Sequence, residues 1–168
     1  MRRPRLSRRG RIPASEERSV PKAAQRRGSA VGLLGELGET AFMHKATSLG
    51  FGLALPYGHL HRYDFIVESG ANLWRVQVKS TTYMVDGSYQ VCIRRNTPAK
   101  SVAYTASEID FVAVYIIPEE TWYILPVREV AGRQALRIRP KGHRRAGPYA
   151  HYREAWHLLR EPDGLVFG

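Results

Sequence analysis

The chain has 168 residues, which is enough for one domain around a single buried core, and its net charge is +11 at pH 7. Such an excess of Lys and Arg favours a polyanionic partner. The one cysteine, Cys92, excludes an intramolecular disulfide and a multi-cysteine zinc site, and we expect it to be a buried strand residue. No apolar run approaches the ~20 residues that a membrane-spanning helix needs, so we expect a soluble cytoplasmic protein, associated with the nucleoid if it is bacterial.

The positive charge is concentrated at the N-terminus. Residues 1–28 hold ten Lys or Arg against Glu16 and Glu17, a net charge of +8, whereas the remaining residues hold sixteen against thirteen acids, a net charge of +3. This tail has three prolines, few apolar residues and no hydrophobic periodicity, so we expect it to be disordered when free. It is a nucleic-acid-binding arm, an organelle transit peptide, or upstream sequence included through a misplaced start codon. Residues 29–168 then form a single domain.

A helix is predicted over residues 31–49. Apolar side chains recur there at helical spacing, and Gly50 stands where a glycine commonly ends a helix. Glu36 and Glu39 lie beside the apolar stripe. Acidic side chains in the first turns of a helix are also common as plain surface residues, so spacing alone assigns them no function.

A short strand over residues 51–55 and a turn at 56–58 follow the helix. His59, His61 and Arg62 come next, either as contacts to substrate phosphates or as solvated loop residues. Residues 63–67 and 73–80 then form two strands joined by a turn at 69–72, which predicts a β-hairpin.

Side chains alternate between the two faces of the second hairpin strand. Val76 and Val78 point to one face and can anchor the core. The opposite face carries Arg75, Gln77 and Lys79. The hairpin can bring the Asp64 carboxylate, on the first strand, beside Gln77 and Lys79.

These groups suit the hydrolysis of a phosphodiester. Asp64 and Gln77 offer side-chain oxygens to a hard divalent cation, and the backbone carbonyl of Val78 lies between them. Lys79 can orient or deprotonate a water molecule and neutralise charge on the phosphate. The same residues are also compatible with ordinary solvated positions of a half-exposed sheet.

The second half of the chain predicts further strands. A turn at Asp86 and Gly87 leads into a strand over 89–95, and the polar segment that follows, with Thr97 and Lys100, is either a DNA-facing loop or a solvated connection. One helical turn is predicted at 106–109 with Ser107 as its cap. The apolar run 111–117 is typical of a central strand, and 122–125 pairs with it.

The C-terminal third is basic. A short helix is predicted over 126–133, a brief strand at 136–138 and a closing helix over 149–160. In a nucleic-acid-binding protein, the basic segment would follow phosphates rather than read bases. Its basic side chains are Arg133, Arg137, Arg139, Lys141, Arg144 and Arg145.

Residues 35–81 resemble the PD-(D/E)XK nuclease superfamily, and most of all the branch that contains group I intron homing endonucleases and archaeal Holliday junction resolvases. The family order is a helix with a Glu, a strand, a strand with an Asp, and a strand with the signature (E/Q)xK, and all four parts occur here in that order. Residues 108–127 resemble the second half of the same branch. The resemblance implies an α/β (α+β), restriction-endonuclease-like fold with a central mixed sheet flanked by helices.

The resemblance also assigns site residues. The helix acid matches Glu39, with Glu36 on the same helical face as the alternative, the metal-binding acid matches Asp64, and the signature matches Gln77 and Lys79. Asp110 is an additional acid or the end of a turn. The implied ligands for Mg²⁺ or Mn²⁺ are Asp64, Gln77, the Val78 carbonyl and Glu39.

Two positions depart from the family pattern. Tyr63 replaces the proline before the metal-binding acid, and Gln77 replaces an acid, which removes one negative charge from the metal site. The implied function is a metal-dependent deoxyribonuclease that acts on DNA as a homodimer or higher homo-oligomer, since cutting two strands needs two sites. The alternatives are a non-catalytic nucleic-acid-binding module with a vestigial site, and an enzyme that acts on RNA or branched DNA.

Overall fold

The computed structural model describes residues 22–58, 60–96, 101–140, 142–143 and 145–160, and for 22–31, 95, 96 and 101 it describes the backbone alone. Several positions discussed above lie outside the described residues, namely 1–21, His59, Thr97, Lys100, Lys141 and Arg144. Within the described ranges, no helix combines the length and the apolar character needed to cross a membrane.

The described residues form one long helix, ten short strands and a few helical turns. The helices are α1 (Lys22–Ser48) and α2 (Val127–Val130), with 3₁₀ segments at Ile117–Glu119, Ala150–Tyr152 and Trp156–Leu159. The strands are β1 (Gly52–Ala54), β2 (Phe65–Ser69), β3 (Asn72–Thr81), β4 (Met84–Val85), β5 (Ser88–Cys92), β6 (Arg94–Asn96), β7 (Ser101–Ala103), β8 (Phe111–Ile116), β9 (Thr121–Pro126) and β10 (Ala135–Ile138).

Five of the strands form a central mixed sheet with the order β1-β2-β3-β8-β9. The predicted hairpin is present as β2 and β3, with Phe65 opposite Val76 and Gly70 at positive φ in the turn. β8 runs parallel to β3 and antiparallel to β9. The predicted fold class, a mixed α+β domain with a central sheet flanked by helices, is therefore confirmed.

The two faces of β3 belong to two different cores. Val76 and Val78 are buried with Phe42 of α1, which covers one face of the central sheet. Gln77 and Lys79 lie on the other face, because they pair with Val112 and Val114 of β8. On that side a smaller sheet, β10-β5-β4, packs on the central one.

The structure differs from the sequence predictions at several element ends. α1 begins at Lys22 rather than at residue 31. The predicted strand over 89–95 is divided into β5 and β6, and Cys92 is exposed because its buried neighbours Val91 and Ile93 point inward. The single helical turn at 106–109 is present, but Thr105 rather than Ser107 caps it, since the Glu108 carboxylate accepts the Thr105 N–H.

The predicted closing helix over 149–160 is wrong. Two 3₁₀ segments stand there, separated by Glu154 at a φ of 49°. The Glu154 carboxylate accepts hydrogen bonds from the Trp122 N–H at 2.7 Å and from the Trp156 indole at 2.9 Å. Because this carboxylate satisfies a buried donor of β9, the segment turns toward the sheet instead of continuing a helix.

Arg75 and Asp110 join the start of β8 to β3. The Asp110 carboxylate accepts hydrogen bonds from the Arg75 guanidinium at 2.8 and 3.0 Å and from the Arg75 backbone N–H at 2.8 Å. Partial burial raises the pKa of Asp110, but the hydrogen bonds and charge of Arg75 outweigh it and hold the pKa below its ordinary value. Asp110 thus ends a turn in an ion pair and is not an additional acid of the cleft described below.

The low pKa of Asp110 predicts an acid-sensitive contribution to stability. A carboxyl with a depressed folded pKa stabilises the fold above its unfolded pKa, and that contribution is lost as the pH falls through the folded pKa. Between neutral pH and about pH 3, we expect Asp110→Asn to remove on the order of 1 kcal/mol of this pH-dependent stability. Urea unfolding at a series of pH values measures it, and parallel curves for the two proteins would contradict it.

Candidate active site

The candidate site lies where the pairing between β2 and β3 stops. The Asp64 N–H donates to the Val76 carbonyl at 2.9 Å, immediately before the first residue of β2. The Asp64 side chain then takes the place of a strand partner, because its Oδ2 accepts the Val78 N–H at 2.7 Å. This bond holds the carboxylate against the open edge of β3 and beside the Val78 carbonyl.

Gln77 links these two groups. Its side chain is 7% exposed, and its Nε2 donates to the Asp64 Oδ2 and to the Val78 carbonyl oxygen. The side chains of Asp64 and Gln77 therefore meet beside the Val78 carbonyl as predicted, but the predicted amide oxygen does not face these groups. In this arrangement the amide presents its NH₂ group to the two oxygens.

Lys79 is half-buried in the same cleft. Its Nζ lies 5.7 Å from the centre of the Tyr104 ring. Burial lowers the pKa of Lys79, and the negative charges of Asp64 and Glu39 oppose this shift. A partly desolvated ammonium between carboxylates can donate to an anion, and its low pKa favours proton exchange.

Glu39 reaches the cleft from α1. Partial burial and the charge of Asp64 raise the pKa of Glu39, while Lys79 lowers it. Burial also raises the pKa of Asp64. The hydrogen bond from the Val78 N–H and the positive charge of Lys79 lower this pKa but do not cancel the effect of burial. Two carboxylates with raised pKa values mark a place where a cation would be stabilised. Glu36 and Glu39 are both partly exposed to solvent, and of these two side chains Glu39 lines the cleft while Glu36 does not.

A glycine in α1 determines how close Glu39 comes to β3. A Cβ atom added at Gly38 would lie 2.9 Å from the Ser80 Cβ and 3.0 Å from its Oγ. The same Ser80 Oγ donates to the Leu34 carbonyl at 2.7 Å and so ties β3 to the helix. Sequence reasoning did not single out this contact, although a glycine inside a helix often marks close packing.

The carboxylates lie in the middle of a longer groove. Two adjoining hollows share Glu39 and Asp64. One of them extends to the loop with His61, and the other extends to Gln90 of β5 and Arg94 of β6. Arg62 pairs with Glu108 at 3.9 Å and does not line either hollow. His61, from the loop before β2, and Arg94, at the start of β6, therefore border the groove.

The donor set fits a hard cation. Two carboxylates, a peptide carbonyl and an amide are oxygen donors, which Mg²⁺ and Mn²⁺ prefer. In the part of the chain that the structure describes, no three or more His, Cys, Asp or Glu side chains lie close enough together to hold a metal ion, so two carboxylates are the acids that the cleft offers. The buried hydrogen bonds of Asp64 place its carboxylate before any ion binds.

The chain is similar to known proteins in its family pattern and in its fold. Residues 32–159 match the family model described as PD-(D/E)XK endonuclease. A solved structure of a bacterial homing endonuclease, I-Ssp6803I, matches with 29% sequence identity and a TM-score of 0.68 over 76% of this chain and 91% of that one. The crystal structure of MepB matches with 15% identity and a TM-score of 0.37 over 64% and 82% of the two chains. No curated protein matches.

Proposed function

The chain belongs to the PD-(D/E)XK endonuclease family, and on this premise we propose that it hydrolyses DNA phosphodiester bonds with a divalent metal ion, Mg²⁺ or Mn²⁺. One observation carries the proposal: Asp64, Gln77 and the Val78 carbonyl converge on the open edge of β3. Glu39 and Lys79 line the same cleft. DNA as the substrate is supported by the similarity to a homing endonuclease over most of both chains.

The proposed metal ligands are Asp64, the Val78 carbonyl, Gln77 and Glu39. A bound ion would act as a Lewis acid toward the phosphate and would lower the pKa of water. For Gln77 to be a ligand, its amide must rotate so that the oxygen replaces the NH₂ group. The NH₂ group donates to the Asp64 and Val78 oxygens, so these two proposed ligands already lie close together.

Lys79 performs the remaining chemistry at the phosphate. Its Nζ orients a water molecule or accepts a proton from it, and its charge stabilises the negative charge that develops on the phosphate oxygens. The lowered pKa of Lys79, which burial causes, makes the neutral amine more accessible near physiological pH. We further propose that two or more copies act together, since each strand of a duplex needs its own site.

Cleavage assays on three substrates test the proposal. Labelled linear DNA duplex, a four-way DNA junction and duplex RNA are incubated with the purified chain in Mg²⁺ or Mn²⁺, and in EDTA as the control. We expect metal-dependent cutting of DNA. Cutting of RNA alone would assign the site to another substrate, and tight binding without any cutting would favour a non-catalytic module with a vestigial site.

Gln77→Glu is expected to strengthen metal binding. The change adds a negative charge next to Asp64, where a ligand's charge contributes directly to cation affinity. We expect the Kd for Mg²⁺ to fall about tenfold in calorimetric titration. Gln90→Glu is the matched control, because it adds the same charge at another position lining the cleft. Equal tightening by both variants, or none by Gln77→Glu, would contradict a ligand function of Gln77.

Gly38→Ala is expected to impair cleavage without unfolding the protein. The new methyl group would meet Ser80 at 2.9 Å and push α1, with Glu39, away from the cleft. A displacement on the order of 1 Å can slow a reaction about 100-fold, whereas alanine improves helix propensity by up to about 1 kcal/mol. Cleavage rates and thermal unfolding separate the two effects.

Two further variants control this experiment. Gly32→Ala gains the same helix propensity, but a Cβ atom there has nothing within 4 Å, so cleavage should be unchanged. Adding Ser80→Gly to Gly38→Ala removes the atom that clashes and should restore part of the rate. Full activity of Gly38→Ala alone would show that the close contact does not position Glu39.

A further inference from the structure

A second hollow lies beside the smaller sheet and has a strongly basic lining. We name it the arginine pocket, defined by Arg137 and Arg139 at the end of β10, Arg145 in the following loop, and Arg153 between the two last 3₁₀ segments. His143 and Tyr123 also line it. No Asp or Glu is among the described residues that line it. Residues 29–168 have a net charge of only +3, so the positive charge of this part of the chain is concentrated at the pocket.

The backbone around the pocket holds the guanidinium groups in place. Arg139 Nη1 donates to the carbonyls of Arg145 and Ala146, both at 3.2 Å, which folds the loop around the pocket. Arg153 is positioned by a backbone bridge to Tyr123 of β9. The pocket is therefore built from three separate parts of the chain.

The arginines differ in how far they are already neutralised. Arg137 forms an ion pair with Asp86 at 3.5 Å, and both side chains are largely exposed, so the pair contributes little. Within the described residues, neither Arg145 nor Arg153 forms an ion pair with a carboxylate. Planar guanidinium groups facing one hollow match the oxygens of a phosphate, which they can bind through two parallel hydrogen bonds.

The pocket adjoins the cleft of the candidate active site. Arg137 of β10, which lines the pocket, is the register partner of Gln90 of β5, which lines the cleft. Across the central sheet, Lys79 pairs with Val114, and Val114 pairs with Tyr123 of the pocket. Two strand spacings amount to about 10 Å between the backbones of Lys79 and Tyr123, so one strand of nucleic acid can reach both the cleft and the pocket.

We propose that the arginine pocket binds a backbone phosphate of the nucleic acid, a few nucleotides from the bond that is cut. The inference rests on the proposed nuclease function, because it places the scissile phosphate beside Lys79. A strand of nucleic acid that is held both beside Lys79 and in the arginine pocket would lie across the outer face of β5 and β10. The pocket would then contribute affinity and register without touching the reacting atoms.

The test is equilibrium binding of a labelled DNA duplex in EDTA, which separates binding from cleavage. Arg145→Gln/Arg153→Gln removes two charges of the pocket, and Lys45→Gln/Arg128→Gln is the control with the same charge change at exposed side chains outside it. At moderate salt, the pocket variant should bind about tenfold more weakly than the control. The slope of log K against log salt should become shallower by about 1 to 2.

The outcomes distinguish the pocket from the nuclease proposal. Equal slopes for the two double variants would overturn the pocket inference, even if the protein cuts DNA. A shallower slope for the pocket variant alone supports the inference, even if no cutting is found. A second experiment titrates inorganic phosphate by calorimetry. If the pocket variant loses phosphate binding but its salt slope for DNA is unchanged, the pocket binds free phosphate, and the inference of backbone binding is overturned. If the double variant unfolds, Arg145→Gln and Arg153→Gln singly should each give about half of the slope change.

Discussion

Replacing Lys79 with methionine is expected to reduce DNA cleavage by about 100-fold or more, with DNA affinity changed only a few-fold. Methionine keeps most of the length and apolar character of the lysine stem, so the packing beside Tyr104 is preserved. The ammonium is lost, and with it proton transfer and charge stabilisation at the phosphate, each of which contributes about 10²- to 10⁴-fold in enzymes. Cleavage rates in Mg²⁺ and binding in EDTA measure the two effects separately.

Lys79→Arg distinguishes the two functions of the amine. Arginine keeps the positive charge but does not lose its proton at accessible pH. If Lys79 mainly stabilises charge, the arginine variant should recover part of the rate that methionine loses. If Lys79 accepts a proton, both variants should be equally slow. Cleavage at the unchanged rate in Lys79→Met would remove Lys79 from the reaction.

Asp64→Asn is expected to abolish metal-dependent cleavage and to weaken Mg²⁺ binding by at least about 100-fold. Asparagine retains an oxygen that can accept the Val78 N–H, so the open edge of β3 stays satisfied. Because burial raises the pKa of Asp64, the ionised carboxylate is itself costly to the fold, and the variant should be at least as stable as the unchanged protein without metal.

Thermal unfolding with and without Mg²⁺ provides the measurement. An ion that binds only the folded state raises the melting temperature according to its concentration and Kd. We expect this Mg²⁺-dependent rise for the unchanged protein and its absence in Asp64→Asn. An equal rise in both proteins would show that the ion binds elsewhere.

The local features of the site were predictable from the sequence. Alternation along residues 73–80 separates Val76 and Val78 from Gln77 and Lys79, and a turn containing Gly70 sets the hairpin that brings Asp64 alongside. The structure confirms both. The apolar run that becomes β8 was equally clear, since a strand buried on both faces has no polar alternation.

Features that depend on long-range contacts were not predictable. The apolar pattern near the C-terminus predicted a helix, but a bond between Glu154 and Trp122, which are distant in sequence, breaks it. The choice between Glu36 and Glu39 is another example, because helical spacing puts both on one face. The contact of Gly38 with Ser80 brings the adjacent Glu39 to the cleft.

The sequence predicted that the C-terminal third is basic, but it did not predict that these basic side chains surround one hollow. The sequence shows a run of basic residues over 133–145, and Arg153 lies outside it. Only the register of β10 with β5 and the bridge between Tyr123 and Arg153 bring these side chains around one hollow next to the cleft. Pairing between strands that are far apart in sequence is the information that local patterns lack.

Nicking of supercoiled plasmid DNA in Mg²⁺, compared side by side for the unchanged protein and folded Asp64→Asn, tests the proposed nuclease most directly. Supercoiled plasmid reports a single cut anywhere in the molecule, so no target sequence has to be known. We expect nicked or linear product with the unchanged protein and none with the variant or in EDTA. Equal nicking by both proteins, or nicking that persists in EDTA, would contradict a metal-dependent nuclease centred on Asp64.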